Sequence, residues 1–571
     1  MRTSDNVKLP AVSSLCIDRS DHSKRDNASR VSGAILVVAA ALAGCSADNS
    51  SNATAELGAQ ESCAQLAGIM IPAATIGLPT QGADVKSSSL ILATDADNPN
   101  GEYCKVLAAI HPVDSTAPDI NIQVNLPTSW NGKALQFGGG GYNGTVVTGL
   151  NQVPYGPVEG LRPLAQGYVT LGSDSGHSGQ AADGSFGLND EALVNFGGDQ
   201  LKKTHDTAIA LIQARYGRAP ERFYIAGASQ GGHEVFLAVQ RWPGDYDGAI
   251  ATHPVYNFTM LQTNGNALAR AIYDKGGEGW LNANKVSLLQ NAVMDACDAL
   301  DGVADGVISN PGACQSTFNL SSLRCARGAD TGDSCLSDPQ IADITMVNSR
   351  FELGFQLQGG ISSFARWPIL EGADWPGLFG FGTRPVPSSP PTPVVDFGLH
   401  VLADPMVRYF VTKDPAVDSL TFDPGAHEAR LRTVSDLIDA SATDISAFKA
   451  RGGKMLLMHG TVDSAVTPHN SVDYYQRLVT QFGQGGIDEF IRFYMVPGFG
   501  HGTGQFIVSW DSLGTLEAWV EQGRAPGTLV ATDAKPGNNN RTRPMCVYPA
   551  WPRYNEPGDV NAAGSFSCVT S

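Results

Sequence analysis

Residues 224–234 read YIAGASQGGHE, and the fold turns on how Ser229 is read within them. RFYIA has the composition of a strand, GASQGG that of a tight turn and HEVFLAVQRW that of an amphipathic helix, which puts Ser229 at a strand-to-helix corner. Gly227, Ser229 and Gly231 meet the G-x-S-x-G pattern of a nucleophile elbow, where the crowded corner excludes side chains on either side of the serine. A glycine-rich turn holding an ordinary serine has the same local spelling, so the rest of the chain must separate the two.

Strand-like runs recur on both sides of this stretch: NIQVNLP, KALQFGGGG, YVTLGSDSGH, YDGAIATHP, KMLLMHGTVD and FIRFYMVPGFGH. Helix-like segments such as DQLKKTHDTAIALIQARYG lie between several of them. Alternating strand and helix implies an α/β fold with a parallel sheet, in which active sites form beyond the carboxyl ends of the strands. Residues 254–453 break the rhythm. They carry four cysteines, the Pro- and Gly-rich stretch WPILEGADWPGLFGFGTRPVPSSPPTPVV and no clear strand alternation, and they read as an inserted lid. Trp367, Trp375, Phe379 and Phe381 within it either line a pocket or pack a core, and isolated aromatics more often do the second.

A serine hydroxyl needs a base, and the base needs a carboxylate to hold its tautomer. Two later strand ends supply these in the order Ser, Asp, His: Asp463 closes KMLLMHGTVD and His501 closes FIRFYMVPGFGH. His459 and His469 compete for the base and Asp473 for the acid. His459 precedes Asp463, which breaks the order, and the other two fall at the start of a helix farther on. For the oxyanion, the amide of Gln230 follows the nucleophile, and GGGGYNG at 138–144 follows an early strand where the second donor is expected. Gly140 is the first choice for that donor and Gly139 the second. The run lacks the G-K-[ST] ending of a phosphate loop.

In CDALDGVADGVISNP, Asp298, Asp301 and Asp305 fall close together among carbonyls, a hard-oxygen set that suits calcium, although a solvated acidic turn has the same spacing.

The N-terminal region predicts export. The apolar run VSGAILVVAAALAGC is too short to span a bilayer, follows the basic residues Lys24, Arg25 and Arg30, and ends in Leu42-Ala43-Gly44-Cys45, which resembles a lipobox. Residues 1–44 then form a lipoprotein signal peptide, with Cys45 lipidated and the protein held in the outer membrane or periplasm; a plain cleaved signal and free secretion is the alternative. Export allows the remaining cysteines to pair. They form sequence-local couples, Cys63 with Cys104, Cys297 with Cys314, Cys325 with Cys335 and Cys546 with Cys568, although spacing alone leaves connectivity open. The formal net charge of −18 argues against a nucleic-acid partner, and the only expected membrane contact is the lipid.

Together these motifs resemble the tannase and feruloyl esterase family, from GGGGYNG and SDSGH through GASQGG and YDGAI to CDALDGVADGVISNP, FKARGGKMLLMHGTVD and FYMVPGFGH. The resemblance implies an α/β-hydrolase core over 45–253 and 454–571 with a large inserted lid domain over 254–453. It implies Ser229, Asp463 and His501 as a catalytic triad and no organic cofactor. It also implies a structural calcium in the lid, held by the side chains of Asp298, Asp301 and Asp305 and the carbonyls of Val303 and Val307. Family members commonly carry a disulfide between a cysteine before the serine and one after the histidine; here those positions are Ala228 and Gly502. The expected substrate is a small aromatic ester, hydroxycinnamoyl first, galloyl second and terephthalate monoester third, in some cases attached to plant polysaccharide. A peptidase or acyltransferase with the same triad, or a non-catalytic surface binding protein, are the alternatives.

Overall fold

The computed structural model describes residues 58–375, 377–538 and 541–570. The expected signal segment and Cys45 lie outside them. Eight strands come first: β1 (Met70–Ile71), β2 (Gly82–Ile91), β3 (Tyr103–His111), β4 (Ile120–Pro127), β5 (Lys133–Phe137), β6 (Val169–Ser173), β7 (Arg222–Ala228) and β8 (Gly248–Thr252). A hairpin of β9 (Phe351–Leu357) and β10 (Ile361–Phe364) follows, and then β11 (Lys454–Gly460) and β12 (Ile491–Val496).

Ten of these strands form one sheet in the order β1-β2-β3-β4-β6-β5-β7-β8-β11-β12. Its first half, through the β4–β6 pair, is antiparallel, and from β6–β5 onward every pair is parallel. Covered on both faces, parallel strands become continuously apolar, which is how β6 and β8 read, with every residue buried. All seven strand-like runs of the sequence lie in this sheet. The strands not anticipated are β1 to β3. In β2 the stretch Lys86-Ser87-Ser88-Ser89 is polar throughout, with Lys86, Ser87 and Ser89 exposed around an irregularity between Val85 and Ser87, so polar residues mask the strand signal.

Between β8 and β11 the chain leaves the sheet and builds a mainly helical lid, with helices at Phe258–Ile272, Ala283–Cys297, Asp338–Val347, Gly398–Pro405 and Glu428–Ile438. The β9–β10 hairpin inside it corrects the expectation of no strand alternation there: Phe351–Leu357 alternates apolar residues with Glu352, Gly354 and Gln356, and its burial follows that period of two, but a single short run amid helices and Pro/Gly-rich chain did not stand out. The lid has its own apolar core, continuous with the hydrolase body through Tyr142, Phe196 and Phe258. Trp367, Trp375 and Phe381 are buried in that core, whereas Phe379 sits edge-on to His501 with ring centroids 5.2 Å apart. Of the four aromatics, Phe379 is the one that lies against His501 at the carboxyl end of the sheet.

Four disulfides join the cysteines in the couples expected: Cys63–Cys104, Cys297–Cys314, Cys325–Cys335 and Cys546–Cys568. Such a set belongs to a chain that folds in an oxidising compartment. Among the described residues no helix is long and apolar enough to cross a membrane.

Candidate active site

Ser229 occupies the corner between β7 and the helix Gln230–Arg241, with φ +82° and ψ −110°, a backbone state that costs a non-glycine residue about 1–3 kcal/mol. Its neighbours explain the glycines. A Cβ on Gly227 would meet the Gly231 carbonyl at 2.3 Å, and one on Gly231 would meet the Gly139 oxygen at 2.8 Å. The Ser229 amide donates to the Thr252 carbonyl at 2.9 Å, tying the corner to the end of β8.

His501 Nε2 lies 3.0 Å from Ser229 Oγ, and its Nδ1 lies 2.8 Å from Asp463 Oδ2. The other oxygen of Asp463 accepts the amides of Ala465 at 2.8 Å and Val466 at 2.9 Å, which fixes the carboxylate plane. Burial works to raise this carboxyl, but His501, hydrogen-bonded to it, and the imidazoles of His253 and His459 packed close beside it outweigh burial and hold it well below the usual range. Asp463 therefore stays ionised and keeps the proton of His501 on Nδ1, leaving Nε2 as acceptor toward the serine. The rejected competitors have other partners: His459 bonds Ser471 and Val466 behind Asp463, His469 bonds Glu371, and Asp473 pairs with Arg350.

The amides of Gly140 and Gln230 have no acceptor among the described residues and border the same cavity as Ser229 and His501. Gly139, the second choice for an oxyanion donor, is corrected here: its N–H is donated at 2.8 Å to the carboxylate of Glu234, so it is already spent. Glu234, on the helix that follows Ser229, also accepts from Asn143 at 2.7 Å and Gln200 at 3.2 Å, anchoring the glycine loop from below. Burial pushes its carboxyl up to about 7, against those three hydrogen bonds, which favour the charged form.

Because this folded-state value exceeds the 4.5 of a free glutamate, the folded chain holds a proton between about 4.5 and 7 that the unfolded chain has lost. Its contribution to stability thus falls as pH rises through that window. Replacing Glu234 by glutamine turns an amide N–H₂ against one of three donors, and we expect kcat to fall about 10- to 100-fold, with the stability slope across that window flattened. Steady-state kinetics and denaturant titrations from pH 4 to 8 check both effects.

Sequence reasoning also missed His253, at the end of YDGAIATHP. It is fully buried, with φ +46°, its Nδ1 is 3.1 Å from Asp463 Oδ2, and burial pushes its imidazole down to about 3 despite that carboxylate. The strand-end rule that selected Asp463 and His501 applies equally to this residue and was the available signal. With alanine at 228 and glycine at 502, the two loops are held to each other by packing and hydrogen bonds. Phe499 is buried in edge contact with Tyr155 at 4.8 Å, and the Val462 and Gly498 amides bond the Phe499 carbonyl and the Thr461 hydroxyl.

In the acidic loop, Asp298 accepts the amides of Gly306 and Val307, and Asp305 pairs with Arg543 and Arg541. Asp301 is 1% exposed, yet its oxygens meet only the amides of Val303 and Ser309, each at a long 3.2 Å. A buried carboxylate so thinly satisfied suits a hard cation. Among the described residues, the acidic and histidine groups whose donors converge within reach of one ion are different ones, His253–His459–Asp463 and His205–Asp206–Asp245. A calcium in the loop would therefore have to draw the three aspartates together and share Asp305 with its arginines.

The sequence profile described as "Tannase and feruloyl esterase" matches residues 104–569. An uncharacterized esterase of Agrobacterium fabrum is 40% identical over 517 residues, covering 89% of this chain and 93% of that protein. The mono(2-hydroxyethyl) terephthalate hydrolase of Piscinibacter sakaiensis is 30% identical over 530 residues, covering 82% of this chain and 85% of its own. The crystal structure of feruloyl esterase B from Aspergillus oryzae superposes with a TM-score of 0.72 at 23% identity, over 90% of this chain and all of that one, a likeness that carries the fold. With the profile spanning most of the chain and full-length relatives at this identity, the chain belongs to the tannase and feruloyl esterase family and is a carboxylic ester hydrolase.

Proposed function

We propose that the protein is an exported serine esterase that cleaves aromatic carboxylic esters through an acyl-enzyme, with hydroxycinnamoyl esters ahead of galloyl esters and terephthalate monoesters. The observation that carries this reading is the hydrogen-bonded line from Ser229 Oγ through both nitrogens of His501 to Asp463. In the mechanism, Ser229 Oγ attacks the ester carbonyl while its proton passes to His501 Nε2. The carbonyl oxygen takes up the negative charge against the Gln230 and Gly140 amides, and Asp463 stabilises the imidazolium. His501 then gives its proton to the departing alcohol, leaving the acyl group on Ser229. Water, deprotonated by His501, attacks the acyl-enzyme, and the acid leaves as Ser229 regains its proton. A fluorophosphonate probe should label Ser229 in the folded protein, and methyl esters of hydroxycinnamic acids should release free acid; a folded protein that resists the probe and turns over no ester would end this reading.

The same proposal includes calcium held by Asp298, Asp301 and Asp305 with the carbonyls of Val303 and Val307, where it would neutralise a buried acidic loop of the lid. Removing it with a chelator should lower Tm by several degrees, with recovery on adding calcium and none on adding magnesium, which demands a tighter octahedron. An unchanged Tm after exhaustive chelation would remove calcium from the account. Lipidation at Cys45 completes the proposal for localisation.

A further inference from the structure

We infer that the cavity beside Ser229 is built for an uncharged aryl acyl group and that Gln262 reads a hydroxyl on that group. The inference rests on the serine-esterase reading above. The cavity has a volume of about 520 Å³, and no Asp, Glu, Lys or Arg among the described residues borders it. Its walls are aliphatic and aromatic, and the lid helix Phe258–Ile272 contributes Phe258, Leu261 and Gln262, which at spacings of three and four residues share one face.

Gln262 does not fit an apolar wall. Its residue is only 4% exposed, its carboxamide has no hydrogen-bond partner among the described residues, and it borders the cavity. Its amide atoms are not sealed inside the protein but open into the cavity, where a bound group can reach them and supply the partner the protein does not. The other polar groups at the cavity are otherwise occupied or displaced. The Tyr142 hydroxyl donates to the Leu402 carbonyl at 2.6 Å, Ser229 and His501 are bound to each other, Gln230 holds its carboxamide inward with Oε1 3.1 Å from His233 Nδ1 and Nε2 sealed from the cavity, and Gln180 is exposed. Gln262 is thus the buried polar side chain left free to meet the acyl group.

A carboxamide both donates and accepts, which matches a hydroxyl in either sense and keeps a planar ring between Phe258 and the opposite wall. A carboxylate on the same ring would be desolvated here without a cation to face it. This places terephthalate monoesters last among the substrates above and favours hydroxyaryl acyl groups over their plain aryl counterparts.

Methyl esters of cinnamic, 4-hydroxycinnamic and 4-carboxycinnamic acid differ at one ring position and test this directly. At pH 7 the wild type should show kcat/KM at least 10-fold higher for the hydroxyl ester than for the plain ester, and at least 100-fold lower for the carboxylate ester. In Gln262→Leu the hydroxyl-to-plain ratio should collapse toward one, and in Gln262→Arg the carboxylate ester should gain on the plain ester at least 10-fold. A hydroxyl-to-plain ratio that survives in Gln262→Leu, or a carboxylate ester as good as the plain one in the wild type, overturns the inference. Labelling by a small fluorophosphonate and turnover of 4-nitrophenyl acetate, which need no acyl recognition, report separately on the serine-esterase reading. If both are lost in the wild type, the failure lies there and not in Gln262.

Discussion

Replacing Ser229 by alanine is expected to lower kcat by about 10⁶-fold, with the fluorophosphonate label lost and the fold unchanged. The magnitude follows from the line of contacts that begins at Ser229 Oγ, 3.0 Å from His501 Nε2: without that oxygen, His501 has nothing to deprotonate and Asp463 nothing to stabilise. What remains is the polarisation of a bound ester by the Gln230 and Gly140 amides, which serves only an attack by water. Alanine retains the Cβ, so the strained backbone at φ +82° is neither relieved nor worsened, and a lost rate reads as lost chemistry. A Ser229→Ala protein within 10-fold of the wild type would exclude the serine as nucleophile.

Asparagine at 463 should cost about 10⁴-fold in kcat with little change in KM. The surroundings dictate how the new amide must lie. One carboxylate oxygen accepts two backbone amides, from Ala465 and Val466, and only an oxygen can keep both bonds. The NH₂ of the asparagine is therefore turned toward His501 Nδ1, which must give up its proton to accept it. The proton then sits on Nε2, the nitrogen that has to receive the serine proton. Imidazole ¹⁵N shifts at pH 7 should show this tautomer in Asp463→Asn and the opposite one in the wild type. Loss of less than 10-fold would mean that another group holds His501, and His253 Nδ1, 3.1 Å from Asp463, sits where that role would have to be tested next.

Several features were legible because they are local in the chain. GASQGG spells its corner within six residues, and each crowded approach around Gly227 and Gly231 involves backbone of that same corner or of the neighbouring glycine loop. Asp463 and His501 could be chosen because a parallel sheet brings its strand ends to one edge, so chain order substitutes for distance. The cysteine couples were readable for a similar reason, each bridge closing 41 residues or fewer.

Other features needed the packed molecule. GGGGYNG offers several equivalent amides, and Gly139 is removed from the oxyanion site only because Glu234, 95 residues away, takes its N–H. His253 looked like any histidine after a strand until β8 and β11 paired and set it against Asp463. The four lid aromatics could not be sorted by composition, since burial depends on which helix covers them; the fold buries three and leaves Phe379 against His501.

The sequence by itself determined the family resemblance, the strand-to-helix corner at Ser229 and the chain order of Ser229, Asp463 and His501, because those follow from motifs and strand ends that each segment specifies alone; it suggested the cysteine couples and left their connectivity to the fold. Only the tertiary structure decided which amides beside Ser229 remain without an acceptor, that three histidines surround one buried aspartate, and that the cavity beside Ser229 is bordered by Gln262 and by no Asp, Glu, Lys or Arg among the described residues. Each of these is a question of which polar group has already found a partner, and burial settles that only when distant segments meet.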